Sequence, residues 1–244
     1  MANGDSLELS AARLQWSIAE AVRRAVEYIR GSRFEVNLTD LLRCQRLYWY
    51  EHSPRINGDS RNELEASRID LQMALGTLIH ELLEIDGCVK ELEMRICRRD
   101  VCIVAKPDFW CPASSTVIEI KTIARLANIP RLNHIAQLKT YMTLLNAERG
   151  VLLYISRTSG EVKTFEFRND RDYGILDALF ERAEAYRRYL ASRSPPEPEP
   201  GIWCRNCPYR NVCGAKIDEA RMGETWLNSL LKRLAGREVK SQES

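Results

Sequence analysis

Two carboxylates and a lysine stand close together in mid-chain, in Ala105-Lys-Pro-Asp108-Phe-Trp110 and Val117-Ile-Glu119-Ile-Lys121-Thr122. Side chains of an extended strand alternate between faces, so Glu119 and Lys121 project to one side and Ile118 and Ile120 to the other. A short connection, Cys111 to Ser115, lets the segment bearing Asp108 pair with the segment bearing Glu119. Two carboxylates held side by side need a cation between them, or one of them takes up a proton. Oxygen ligands of this kind suit Mg²⁺ or Mn²⁺. A lysine beside such an ion can orient or deprotonate an attacking water, or neutralise charge on a phosphate. Glu-x-Lys alone reads as an ordinary solvated strand face; Asp108, eleven residues earlier, is what turns the pattern into a candidate site.

The second chemical pattern is cysteine. Eight cysteines sit at 44, 88, 97, 102, 111, 204, 207 and 213. Three form a tight cluster, Cys204-x2-Cys207-x5-Cys213, and a C-x2-C pair brings two thiolates to one small ion or cluster. Zinc and iron–sulfur centres both take four ligands, so a fourth must come from elsewhere. Cys44, in the helical-looking stretch Leu41-Leu-Arg-Cys44-Gln-Arg-Leu-Tyr-Trp-Tyr50, is the candidate. Cys88, Cys97, Cys102 and Cys111 are read as packing residues, since free cysteine is among the most buried residue types. Cys97 and Cys102 flank a tight turn, where they would face each other as thiols or as a bridge.

Helical periodicity positions these residues between predicted strands. Helices are expected over 6–30, from Asn37 or Thr39 to about Tyr50, over 63–85, 130–146, 171–193 and 215–235. Strands are expected over 91–97, 101–110 and 117–121, followed by a hairpin of 151–156 and 162–167. Glu51 to Asn62 reads as a loop, and Ser194-Pro-Pro-Glu-Pro-Glu-Pro-Gly201 as a linker holding the cysteine trio outside the core. The whole is an α/β arrangement, a central mixed sheet flanked by helices.

Composition narrows the class without naming it. With 244 residues, 45% hydrophobic and 29% charged, the chain is long enough to bury a core and too apolar to be disordered. A net charge of +2 excludes no partner, because binding depends on where charge clusters. No run of eighteen apolar residues spans a membrane. The polar start, Met1-Ala-Asn-Gly-Asp, lacks a signal-peptide pattern, so a cytoplasmic location is expected.

Taken together, the motifs resemble a known family. Pro107-Asp108 with Glu119-Ile-Lys121 is similar to the PD-(D/E)xK signature of restriction-endonuclease-like nucleases. Gly76-Thr-Leu-Ile-His80-Glu resembles the histidine motif of the RecB-like branch, and Gln137-Leu-Lys-Thr-Tyr141 its Q-x3-Y motif. Adding Cys44, Cys204, Cys207 and Cys213 gives the arrangement of iron–sulfur RecB-like nucleases, of which the CRISPR-associated exonucleases are the nearest in size. The likeness spans about residues 40 to 215.

The resemblance implies a restriction-endonuclease-like core over 61–193, preceded by a helical region over 1–60 that contributes one cluster cysteine. It is followed, over 194–244, by the linker, the cysteine module and a last helix. His80, Asp108, Glu119 and the Ile120 carbonyl would ligate Mn²⁺ or Mg²⁺, Lys121 would be catalytic, and Gln137 and Tyr141 would contact DNA or orient Lys121. The cofactors implied are those ions and a 4Fe–4S cluster, with 2Fe–2S open to the same four cysteines. The function implied is 5′→3′ exonuclease action on single-stranded DNA, or DNA with single-stranded ends, for CRISPR spacer acquisition alongside CRISPR integrase proteins. The rival readings are a DNA-repair nuclease of the same branch, a non-catalytic DNA-end-binding adaptor, and a zinc scaffold. Arg43, Arg46, Arg205 and Arg210 would form a basic rim for DNA, and Tyr48, Trp49, Tyr50 and Trp203 either stack on bases or pack beneath the cluster.

Overall fold

The computed structural model describes residues 33–53, 63–169, 174–192, 194–215 and 226. The helix expected over 6–30, most of the loop after His52 and nearly all of the last helix lie outside these residues.

Strand β1 (Phe34–Asn37) leads into two short helices, α1 (Leu38–Leu41) and α2 (Gln45–His52). Helix α3 (Glu63–Leu82) precedes strands β2 (Val89–Lys90), β3 (Met94–Arg98), β4 (Val101–Ala105), β5 (Phe109–Cys111) and β6 (Thr116–Ile123). Helix α4 (Leu132–Leu145), strands β7 (Arg149–Ser156) and β8 (Val162–Arg168), and helix α5 (Gly174–Ala191) follow. A 3₁₀ turn (Ile202–Asn206) and a short helix α6 (Arg210–Cys213) end the described chain.

The strands form two sheets, β1-β4-β3 and β2-β5-β6-β7-β8. Parallel pairs (β1 with β4, β6 with β7) and antiparallel pairs occur in both, so the sheets are mixed as expected. The chain passes from one sheet to the other through Lys106-Pro107-Asp108. Proline has no N–H to give a ladder, which suits it to that break.

Where one helix was expected from Asn37 or Thr39 to about Tyr50, a strand runs up to Asn37 and the helix after it is broken at Leu42–Cys44. Phe34–Asn37 is too short to show a period; it is a strand because it lies parallel against β4, whose Val101, Cys102, Ile103 and Ala105 are buried. Helix α4 is the crossover that a parallel β6–β7 pair requires. It lies close to the sheet at Gly150, where a Cβ would run into Met142 Sδ and stand 3.0 Å from Leu138. The core, with Ile103, Val117, Leu138, Tyr141, Leu152, Leu179 and Tyr186 at its centre, fills the space between sheets and helices.

Candidate active site

Strand pairing brings the carboxylates together. β5 runs antiparallel to β6 with Phe109 opposite Ile118, so one step further along the ladder Asp108 faces Glu119. Asp108 Oδ2 accepts the Ile120 N–H at 2.6 Å, which fixes the carboxylate against β6. Its other oxygen, Oδ1, lies 2.9 Å from His80 Nδ1 on α3. On the same face of β6 the Lys121 ammonium lies 2.6 Å from Glu119 Oε1. Glu119 is 2% exposed, and its second oxygen, Oε2, is buried with no hydrogen-bond partner among the described residues.

These contacts set the charges. Burial pushes the Glu119 carboxyl up, Lys121 pulls it back, and Asp108 raises it further. For His80 the hydrogen bond to Asp108 outweighs burial and raises the imidazole. Burial acts to lower Lys121, but Glu119 beside it prevails, and the ammonium is held above its ordinary value. Two adjacent carboxylates, one of them buried with an unsatisfied oxygen, make a site that gains from a cation.

The residues present fit a divalent ion. The donors are carboxylate oxygen and imidazole nitrogen, which suit Mg²⁺ and Mn²⁺, and Glu119 Oε2 is an oxygen left without a partner. Among the described residues no three His, Cys, Asp or Glu side chains already form a coordination cage. His80 and Asp108 turn facing atoms toward each other, and Lys121 occupies Glu119 Oε1.

One cleft of about 420 Å³ gathers His80, Asp108, Glu119, Lys121, Gln137 and Tyr141. Gln137 and Tyr141, four apart on α4, are both buried, at 5% and 1% exposure. Gln137 Nε2 donates to the Tyr141 hydroxyl, which donates to the Lys106 carbonyl at 3.0 Å. Their polar ends therefore brace the link that delivers Asp108. Asn37, Thr39 and Lys106 line the same cleft and went unpredicted. Lys106 was legible as the neighbour of Pro107-Asp108; Asn37 and Thr39 depend on the β1–β4 pairing, which leaves no local signal.

The cysteines divide into two sets. Cys88 bonds to Cys111, which corrects the packing reading for that pair, and Cys97 bonds to Cys102, the bridged one of the two arrangements left open for them. Strand pairing explains it: Cys97 sits directly opposite Cys102 in the β3–β4 ladder, and Cys88 precedes β2, which pairs with β5. The other four, Cys44, Cys204, Cys207 and Cys213, are unbridged and line one small cavity of about 20 Å³ together with Leu47, Tyr50 and Tyr209. Gly201 N–H points at Cys204 Sγ (3.4 Å) and Arg46 Nη1 at Cys213 Sγ (4.0 Å). Donors aimed at sulfur, and four thiols around one cavity, fit a thiolate-bound group. Burial raises the Cys204 thiol and pushes Cys207 up to about 11, so without such a group both stay protonated.

Around the cysteines several expectations are corrected. Cys44 stands at the N-cap of α2, outside the helix, with extended backbone. Of the two readings left open for Tyr48, Trp49 and Tyr50, stacking on bases or packing, their burial against Tyr186, Tyr189 and Tyr209 favours packing. Arg46 points inward and donates to the Pro196 and Cys213 carbonyls instead of joining a basic rim. Arg43 pairs with Asp40 and Glu51, while Arg205 and Arg210 are exposed. Nothing is described of the Trp203 side chain.

No helix among the described residues is long and apolar enough to cross a membrane. Residues 91–214, just over half of the chain, match the sequence profile of the PD-(D/E)XK nuclease superfamily. Over 201 residues the chain is 26% identical to the CRISPR-associated exonuclease Cas4 of Saccharolobus solfataricus, covering 75% of this chain and 88% of that protein. The crystal structure of SSO0001 is similar with a TM-score of 0.54 and 27% identity, covering 75% of this chain and 88% of that one.

Proposed function

The chain belongs to the PD-(D/E)XK nuclease superfamily, and from its site we infer that it is a metal-dependent DNA exonuclease. The observation that carries this reading is the buried pairing of Asp108 and Glu119, flanked by His80 and Lys121, with Glu119 Oε2 left unsatisfied. An ion held by His80, Asp108, Glu119 and the Ile120 carbonyl, Mn²⁺ or Mg²⁺, would supply Lewis-acid polarisation of a phosphoryl oxygen and a lowered pKa for water. Lys121, held charged by Glu119, places a positive group where charge develops on the phosphate, and its donors orient the attacking water. Asp108 is held beside β6 by the Ile120 N–H, and the facing His80 Nδ1 and Asp108 Oδ1 would turn from each other to the ion when it binds. Gln137 and Tyr141 hold the Lys106 carbonyl and thereby the approach to Asp108.

We further propose that Cys44, Cys204, Cys207 and Cys213 hold an iron–sulfur cluster, 4Fe–4S, as a staple between the start of α2 and the cysteine module. The likeness to a CRISPR-associated exonuclease supports exonuclease action in a CRISPR setting; that the action runs 5′→3′ on single-stranded DNA ends during spacer acquisition, with integrase proteins as partners, is our proposal. Single-stranded DNA labelled at its 5′ or its 3′ end, digested by anaerobically purified protein whose iron is quantified, tests both parts. Small 5′-labelled products and about four iron atoms per chain are expected. Progressive shortening from the 3′ end would overturn the polarity, and colourless protein with stoichiometric zinc would overturn the cluster.

A further inference from the structure

A second cleft, of about 390 Å³, adjoins the catalytic residues. It shares His80 and Lys121 with the cleft described above and is otherwise lined by Gly76, Thr77, Thr122 and Arg157, with Ile120 at its floor and Met73 at its mouth. The two clefts differ in charge. The first holds Glu93, Asp108 and Glu119 beside its lysines; the second, among its described lining residues, holds Lys121 and Arg157 and no carboxylate.

The fold builds this second cleft from three elements. Thr122 and Lys121 are near the C-terminal end of β6, and Arg157 follows the C-terminal end of β7, which runs parallel to it. The Arg157 N–H donates to the Ile123 carbonyl at 2.8 Å, so the arginine starts from a fixed backbone position level with the end of β6. Crevices outside the carboxyl ends of parallel strands are the usual ligand sites of such sheets. Helix α3 closes the other wall. It comes so near at Gly76 that a Cβ there would stand 3.1 Å from Thr122 Oγ1. That approach brings the Thr77 side of the helix over the cleft, one turn before His80.

We propose that this cleft is a subsite for a backbone phosphate of the DNA strand, next to the phosphate being cut, with Arg157 as its charged anchor and Thr77 and Thr122 as hydroxyl donors. Arginine presents a planar fork matched to phosphate, and hydroxyls complete such contacts without reading sequence. A strand passing from one cleft to the other crosses Lys121 and His80, which are common to both. The proposal rests on the nuclease reading and deepens it.

Binding of a fluorescent single-stranded oligonucleotide, measured in chelator so that nothing is cut, is compared for the full chain and for Arg157→Gln and Arg157→Lys across a salt series. Arg157→Gln is expected to weaken binding about fivefold to twentyfold, equally for oligo-dT and mixed sequence. The slope of log affinity against log salt should fall by about 0.7, one single-strand phosphate contact, and Arg157→Lys should retain most of both. In cleavage, KM should rise while kcat stays within about twofold, the signature of lost uniform binding. Replacing one phosphate at a time by methylphosphonate adds a readout independent of any folding defect. Neutralising the phosphate beside the scissile one should weaken the unaltered protein and leave Arg157→Gln unaffected. An unchanged salt slope, or no position at which the two proteins differ, overturns the subsite while cleavage by the unaltered protein keeps the nuclease reading intact. Unaltered, cluster-loaded protein that neither binds nor cuts DNA overturns both.

Discussion

His80 Nδ1 lies 2.9 Å from Asp108 Oδ1, joining a helix to a strand start 28 residues further along the chain. The bond exists because α3 crosses β6 at Gly76, one turn before His80, where a Cβ would stand 3.1 Å from Thr122 Oγ1. Residues four apart share a helix face, so the near approach at Gly76 and the reach of His80 to Asp108 are one geometric fact.

Gly76→Ala tests that coupling. The added methyl would stand 3.1 Å from Thr122 Oγ1, so either the Thr122 side chain or α3 gives by a few tenths of an ångström, and a shift of α3 carries His80 with it. A misplacement of about 1 Å at reacting groups can cost about a hundredfold in rate, so a few tenths of an ångström should cost a few-fold. Cleavage rate and a urea melt on the same preparation check it: activity is expected to fall a few-fold with stability within about 1 kcal/mol, Ala being the better helix former.

His134 is a site of pH-dependent stability. It is buried on α4 with Nδ1 2.9 Å from the Tyr154 hydroxyl, which also accepts the Arg131 N–H. Burial first, then Lys121 and Arg131, lowers its imidazole from 6.5 to about 3. A depressed folded-state value favours the neutral ring, so the stability it gives is complete above 6.5 and drains away as pH falls toward about 3. Between pH 7 and pH 5 the unaltered protein should lose about 2 kcal/mol more than His134→Leu, in urea melts.

Arg182 and Glu199 form a clamp behind the cysteine cavity. The guanidinium, 8% exposed, meets both Glu199 oxygens and donates to the carbonyls of Leu41, at the end of α1, and of Arg43, within the break before α2. Glu199 also accepts the Gln45 N–H at the start of α2. Removing one partner of a buried pair costs about 3–5 kcal/mol. Glu199→Gln should therefore lower the melting temperature and, if the four cysteines hold the proposed cluster, reduce bound iron per chain, whereas Arg95→Gln, at a surface pair, should change neither.

The two disulfides close loops of unequal length, with sequence separations of 23 and 5. Chain entropy gives about 3.5 kcal/mol for the first and about 2 kcal/mol for the second. Urea melts of Cys88→Ser/Cys111→Ser and Cys97→Ser/Cys102→Ser should rank in that order, and intact-mass analysis under alkylation should count four protected cysteines in cluster-free protein.

Much of the site was legible in the sequence because its key residues lie on regular elements. The alternation of Ile118-Glu119-Ile120-Lys121 set their faces before any coordinate was known, and the spacing of Gln137 and Tyr141 put both on one side of α4. What escaped were relationships made by pairing between distant segments. Phe34–Asn37 becomes a strand only against β4, so Asn37 and Thr39 gave no hint of lining the cleft. Cys88 and Cys111 are bridged because β2 pairs with β5, which spacing does not announce. Arg46 looked like a surface cation, yet the Pro196 and Cys213 carbonyls that draw it inward arrive from beyond residue 195. Arg157 likewise carries no motif; its place is set by where β7 ends beside β6.

On the proposed function, Asp108, Glu119 and Lys121 cut DNA with a divalent ion. The direct test is cleavage of end-labelled single-stranded DNA by folded protein in Mn²⁺, in Mg²⁺ and in chelator, beside Lys121→Ala. Metal-dependent cutting that falls at least a hundredfold in Lys121→Ala is predicted, the loss of one positioned charge at the transition state. Cutting that persists in chelator, or survives undiminished in Lys121→Ala, would contradict it.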